Sequence, residues 1–244
     1  MSRYFIEVSY KGTLYAGFQA QQNANTIQDE VEKSLLVYFK ETFMLTGSSR
    51  TDAGVHALQN FFHFDLEFPV IPDWEKVVYH LNAILPADIV VKKIVAVADD
   101  AHCRFDAIYR TYEYSLYMHK DPFLEDRAYF YPYKLDMALL NEAASLVRET
   151  KDFESFSKRN TQVKTFNCTI RESEWLLIND LIIYRVSANR FLRGMVRGLV
   201  GTMLKVGRGK TSLEKFVQII ESHDPAWVDF SVPPQGLKLV HVAY

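Results

Sequence analysis

Phe62-His63-Phe64-Asp65-Leu66-Glu67-Phe68 alternates apolar and polar side chains without a break. Successive side chains of a strand point to opposite faces, so this spacing predicts a half-buried strand with one wet face. The strand is expected to run from Phe61, with an apolar strand ending near Leu45 ahead of it. The same period recurs upstream at Tyr4, Ile6, Val8 and Tyr10, and downstream at Tyr112, Tyr114, Leu116 and Met118. Residues 175–178 and 181–186 are apolar runs separated only by Asn179-Asp180, which predicts a two-residue hairpin.

Helical spacing lies between these strands. Thr26 reads as an N-cap, with Asp29 and Glu30 in the first turn and Ile27, Val31, Leu35 and Tyr38 on one face. Residues 135–147 read as a second helix, and Thr211-x-x-Glu214 as a capping box ahead of Leu213, Phe216, Val217 and Ile220. The longest stripe is Phe191, Leu192, Met195, Val196, Leu199, Val200, Met203 and Leu204, which predicts a helix over residues 190–206. Arg190, Arg193 and Arg197 then share another face of it. Seven basic residues and no acidic one fall between Arg185 and Lys210. Two readings stand for that run: a solvated helix face, or a track for phosphates.

Strands and helices interleave without regular βα alternation, so the fold class is α+β with mostly antiparallel sheet. Each half opens on a Tyr-rich strand and then carries a helix. Ala98-Asp99-Asp100 breaks the apolar run, which places a boundary within residues 98–106 and halves at 1–102 and 103–244.

Composition limits the function classes. At 48% hydrophobic and 24% charged residues the chain is an ordinary globular one, which excludes disordered, collagen-like and coiled-coil classes. Apolar runs stay short of the roughly 18 residues a membrane helix needs, and the N-terminal alternation is unlike a signal peptide. Two cysteines, Cys103 and Cys168, cannot build a disulfide framework, and a cytoplasmic location is expected. The formal charge of -2 argues against nucleic-acid binding on average, but where the charges sit matters more.

Gly209-Lys210-Thr211-Ser212 looks like the end of a phosphate-binding loop, yet Leu204 stands where that loop requires glycine, and a helix, not a strand, precedes it. Gly207 and Gly209 instead read as helix terminators. The seven histidines lack ligand spacing and His102-Cys103 stands alone, so no metal is expected. The strongest local candidate for chemistry is Arg50-Thr51-Asp52-Ala53-Gly54-Val55-His56-Ala57. Asp52-Ala53-Gly54 is first of all a turn. If extended, Arg50 and Asp52 point to one face, and a cation beside a carboxylate keeps it ionised and available as a nucleophile or base.

That octapeptide resembles the signature of the tRNA pseudouridine synthase A family. The resemblance continues in order through Tyr10-Lys11-Gly12-Thr13, Gly17-Phe18-Gln19 and Gln22, and through Leu81-Asn82-x-x-Leu85-Pro86-x-Asp88-Ile89. It extends over His102-Cys103-Arg104-Phe105-Asp106-Ala107 with Arg110-Thr111-Tyr112-Glu113-Tyr114, then Asp152-Phe153-Glu154-Ser155-Phe156. It closes with Ala188-Asn189-Arg190-Phe191-Leu192-Arg193-Gly194-Met195-Val196-Arg197 and Pro234-Gln235-Gly236-Leu237. Ser49 stands where the family usually has Gly, Lys11 where it has Asp, and Arg190 where it has Ala.

The resemblance implies two ferredoxin-like halves whose sheets join into one extended sheet, the pseudouridine synthase fold. It implies an isomerase that turns uridine into pseudouridine in the anticodon stem-loop of tRNA, at positions 38, 39 and 40, acting as a homodimer without cofactor. Asp52 matches the essential catalytic residue. Three uses of its carboxylate remain open: attack at C1′, attack at uracil C6, or removal of a ribose proton. Tyr112 matches an active-site tyrosine that can stack on a flipped base, Arg50 a residue that helps extrude it, and Arg197 the partner of the catalytic carboxylate. Leu237 would line the uracil pocket, and Arg190 and Arg193 are candidates for RNA backbone contact. Two rival readings are a non-catalytic RNA-binding or tRNA-chaperone protein on the same scaffold, and a pseudouridine synthase acting on another RNA.

Overall fold

The alternation at Tyr4, Ile6, Val8 and Tyr10 predicts a strand, and pairing on both of its edges satisfies its backbone. In a computed structural model that describes residues 2–66, 72–159 and 163–244, β1 (Ser2–Tyr10) is that strand. It pairs antiparallel with β3 (His56–Leu66) on one side and β4 (Ile89–Val97) on the other, with Ile6 opposite both Phe62 and Ile94. A two-residue strand β2 (Thr46–Gly47) adds to β3, with Thr46 opposite His63. Helices α1 (Ile27–Phe39) and α2 (Trp74–Ile84) belong to the same unit. The Thr26 hydroxyl accepts from the Asp29 amide, a cap worth about 1 kcal/mol. Phe18 stacks on Phe62 with ring centroids 4.3 Å apart, and Trp74 of α2 lies 4.7 Å from Tyr4.

Residues Met1–Ile108 and Lys238–Tyr244 form one compact unit, and Tyr109–Leu237 form the second. This moves the expected division. Residues 103–108 belong with the first unit, and so does the C-terminal segment. The reason lies in backbone pairing and aromatic packing. Strand β9 (Leu237–Ala243) runs parallel to β3, with Lys238 opposite His56 and Leu239 opposite Ala57. The Ile108 amide donates to Ala243, the Tyr244 ring packs on Phe5 and Phe61, and its hydroxyl donates to the Cys103 carbonyl at 2.6 Å.

In the second unit β5 (Tyr109–Tyr117) pairs antiparallel with β8 (Leu181–Ala188), and β8 with β7 (Ile170–Ile178). Short β6 (Tyr129–Phe130) runs parallel to β5. Asn179 and Asp180 both take left-handed φ values, 48° and 64°, and close the β7–β8 hairpin as expected. Helices α3 (Met137–Glu149), α4 (Met195–Gly207) and α5 (Leu213–Glu221) complete the unit. Tyr114, Tyr184 and Trp175 lie opposite one another across the three strands, and Tyr184 is wholly buried. The class is α+β with mostly antiparallel sheet. No helix among the described residues is long and apolar enough to cross a membrane.

Five local expectations change. Helix α4 begins at Met195, not residue 190, because Gly194 takes a left-handed φ of +77° and the chain turns there, the Met195 amide donating to Leu192. Arg190 and Arg193 therefore lie outside the helix and share no face of it with Arg197. The cap of α5 is Ser212, whose hydroxyl accepts from the Lys215 amide; the Thr211 amide already donates to Lys205 in the turn that closes α4. Phe43 and Leu45 are buried, but the strand beside them is only Thr46–Gly47. Strand β3 begins at His56, ahead of Phe61; Glu67 and Phe68 lie outside the described residues. Met118 follows the end of β5.

His63 is buried in β3, and burial, then the positive charge of Arg3, pushes its imidazole pKa from 6.5 down to about 4. The unfolded chain takes a proton near pH 6.5 while the fold resists it until about 4. Stability from this group is therefore complete above pH 6.5 and falls as pH drops through that window. His63→Gln should flatten the dependence of the urea midpoint on pH between these values, by at most about 1.4 kcal/mol per pH unit.

Candidate functional site

Asp52 sits on a turn that the chain must make to enter β3. The Val55 amide donates to the Asp52 carbonyl at 3.2 Å, and Gly54 takes φ +77°, a region that L side chains avoid. The turn is clasped by residues 10–18. The Phe18 amide donates to Thr51, the Gly54 amide to Tyr15, and the Gly12 amide to Nδ1 of His56 at 3.0 Å. A side chain at Gly12 would place its Cβ 2.0 Å from the Val55 carbonyl oxygen, so only glycine permits this approach. Gly17, at φ +123°, lies against the Thr51 carbonyl, where a Cβ would sit 3.1 Å from the oxygen. Beneath the turn the Tyr10 and Thr51 hydroxyls are 2.8 Å apart and buried, and Asn60 Nδ2 donates to Tyr10 at 3.1 Å.

The clasp fixes the backbone and leaves the Asp52 carboxylate half-buried, while Arg50 is exposed. Within the first unit neither side chain has an ion-pair partner among the described residues, so the expected Arg50–Asp52 pairing does not form.

The second unit holds the other candidates. Tyr112 lies in β5, 8% exposed, with Phe191 edge-on to its ring at 4.9 Å. Arg197, on the first turns of α4, donates from Nε to the Val232 carbonyl at 2.8 Å and from Nη2 to Phe230 at 3.4 Å. The Tyr114 hydroxyl donates to Pro233 at 2.7 Å, and burial holds its phenol above the ordinary pKa range. Three anchor points thus hold residues 230–233. Helix α4 admits this segment because Gly201 lies against Asp229, where a Cβ would sit 2.2 Å from the carbonyl oxygen. The segment leads directly to Gly236, which packs on the Tyr114 ring, and to buried Leu237. Periodicity could not reveal this arrangement. Its sequence signals are Gly198 and Gly201 inside an otherwise apolar helix, since helix-interior glycine often marks a close approach.

The basic run between Arg185 and Lys210 is less free than its sequence implies. Arg185 pairs with Glu113 at 2.8 Å, Lys205 with Asp229 at 3.0 Å, and Arg208 lies over the Tyr133 ring at 3.8 Å. Arg193 is exposed and Arg190 half-buried, both in the loop ahead of α4.

His102-Cys103 does not stand alone. His63, distant in sequence, brings Nδ1 to 3.2 Å from Cys103 Sγ, and His102 completes a cluster of metal-ligand type. The Nδ1 atom of each ring is engaged. His63 Nδ1 accepts from the Cys103 amide, and His102 Nδ1 from the amides of Arg104 and Phe105. Those lone pairs serve the backbone. Asp152, Glu154 and His223 form a second, more exposed group, with His223 Nδ1 3.2 Å from Glu154.

A family model described as tRNA pseudouridine synthase matches residues 6–106 and 143–244. A tRNA pseudouridine synthase A of Parabacteroides distasonis is 43% identical over 244 residues, covering all of this chain and 96% of that protein. One from Porphyromonas gingivalis is 43% identical over 246 residues, covering all of this chain and 98% of that protein. One from Staphylococcus carnosus is 38% identical over 240 residues, covering 97% of this chain and 89% of that protein.

Gly54→Ala should leave the fold intact and cost about 1–2 kcal/mol, the strain of a left-handed L residue. Urea denaturation measures it; an unchanged midpoint would show that the turn relaxes without cost.

Proposed function

The chain belongs to the tRNA pseudouridine synthase family, and from that premise we propose that it converts uridine to pseudouridine in the anticodon stem-loop of tRNA, at positions 38, 39 and 40, with Asp52 as its catalytic residue. The observation that carries the reading is the placement of Asp52. A tightly clasped turn holds its backbone, while its carboxylate stays half-buried and unpaired within its own unit among the described residues. A carboxylate kept for structure is ordinarily engaged in a cap or an ion pair; this one is held ready for a substrate.

The rearrangement breaks the N1–C1′ bond, joins C5 to C1′, moves the C5 proton away and leaves a proton on N1. Atoms and electrons are conserved, so the reaction needs no redox partner. A paired uridine must first leave its helix, at a cost of a few kcal/mol. Tyr112 offsets that cost by stacking, worth about 1–3 kcal/mol per base. Arg50 helps extrude the base, Leu237 lines the uracil pocket, and Arg197 is the guanidinium assigned to the catalytic carboxylate. The grip of Arg197 on Val232 and Phe230 supports a fixed guanidinium. Arg193, exposed in the loop before α4, and Arg190 contact the RNA backbone. The protein acts as a homodimer in the cytoplasm.

Asp52→Asn should keep the fold and tRNA affinity and abolish pseudouridine formation, measured by mapping pseudouridine position by position in an unmodified tRNA transcript. Product outside the anticodon arm would favour a synthase for another RNA site, and no product from the unmodified protein would favour a binder. Arg193→Ala should weaken tRNA binding and lower the slope of log affinity against log salt by about 0.7–0.9 for each phosphate that the variant no longer neutralises. An unchanged slope would remove Arg193 from the RNA surface.

A further inference from the structure

We infer that Tyr10 is a positioning residue for the reaction, acting on Asp52 through the Thr51 hydroxyl. The inference rests on the reading of Asp52 as the catalytic carboxylate and adds a residue that touches no substrate.

The geometry is local and complete. Thr51 immediately precedes Asp52, so the torsions of Thr51 and its following peptide set where the Asp52 Cβ points. Thr51 is held at two atoms. Its carbonyl accepts from the Phe18 amide at 3.1 Å, and its Oγ1 lies 2.8 Å from the Tyr10 hydroxyl. The first bond fixes one end of the residue, and the second prevents rotation about it. The Tyr10 hydroxyl also accepts from Asn60 Nδ2 at 3.1 Å, and Asn60 Oδ1 accepts from the Phe61 amide. The tether therefore runs from strand β3 through a phenol at the end of β1 to the residue beside the carboxylate. Each of these side chains is buried: Tyr10 is 4% exposed, Thr51 7% and Asn60 fully enclosed. The Tyr10 ring is separately secured by stacking on Phe18 at 5.7 Å, so loss of the hydroxyl alone leaves the ring in place.

A merely structural hydrogen bond and a positioning tether differ in what they protect. The first supports stability, about 1 kcal/mol for a neutral pair. The second supports the alignment of a reacting group, and misplacement by about 1 Å can cost up to about a hundredfold in rate with substrate binding intact. Tyr10, Thr51 and Asn60 are buried away from any substrate surface, so removing the tether should act on kcat and leave KM alone.

The test compares Tyr10→Phe, Thr51→Val, their double variant, Thr51→Ser and Asp52→Asn, with steady-state pseudouridine formation on a tRNA transcript and thermal melting of each protein. Tyr10→Phe and Thr51→Val should each lower kcat by about tenfold with KM within about twofold. The double variant should be no slower than the slower single one, because both remove the same bond. Thr51→Ser, which restores the hydroxyl, should recover most of the rate. Single variants with full kcat, losses that multiply in the double variant, or a Thr51→Ser as slow as Thr51→Val would overturn the assignment. So would a Tyr10→Phe that melts below the assay temperature, since the bond would then hold the fold and not the carboxylate. Asp52→Asn separates the two readings: if it stays active, the choice of Asp52 is wrong; if it is inactive while the tether variants work normally, only the tether is wrong.

Discussion

The close approach of Gly12 to the Val55 carbonyl is the constraint on which the clasp around Asp52 depends. It allows the loop after β1 to lie against the turn before β3 with no side chain between them. Backbone bonds from Phe18, Gly54 and Gly12 then fasten the two segments. A loop is ordinarily the most mobile part of a domain. Here Asp52, proposed as the reactive residue, sits on a loop whose freedom has been removed by a second loop. The cost of ordering it is met by buried hydrogen bonds and by the stacked rings of Tyr10, Phe18 and Phe62.

The second unit solves a similar problem with side chains in place of glycine amides. Arg197 and Tyr114 come from different elements, yet both donate to carbonyls within residues 230–233. An extended segment has no internal ladder, so its carbonyls must find partners elsewhere. Long side chains from α4 and β5 supply them. Part of an arginine that resembles a catalytic partner is thereby committed to the backbone, which stiffens its guanidinium and reduces the entropy lost when it meets an anion.

What was legible in the chain follows the range of the interaction. The Asn179-Asp180 hairpin and the Thr26 cap depend on a few adjacent residues, and both stand as read. Helix α4 starts later than its hydrophobic period implies, because Phe191 and Leu192 fit a helical stripe while the left-handed turn at Gly194 leaves no trace in that period. The proximity of His63 to Cys103 and the return of the last strand to β3 are contacts between distant residues, beyond what spacing encodes. At the site, the turn at residues 52–54 and a candidate carboxylate at Asp52 are readable from local residues, but its proposed role as the essential catalytic residue rests on resemblance. The clasp beneath it was invisible, because nothing local to Tyr10 announces that its hydroxyl will meet Thr51.

Strand β9 gives the first unit its final edge, although those residues are the last of the 244. On the ribosome, β1, β3 and β4 emerge early and can pair, but the side of β3 that receives residues 238 and 239 stays open while the whole second unit is made. During that interval the nascent sheet exposes unsatisfied amides and the apolar groups that Tyr244 later covers. The unit is therefore completed only after the second unit has been made, and residues 238–244 act as the latch of the segment synthesised first.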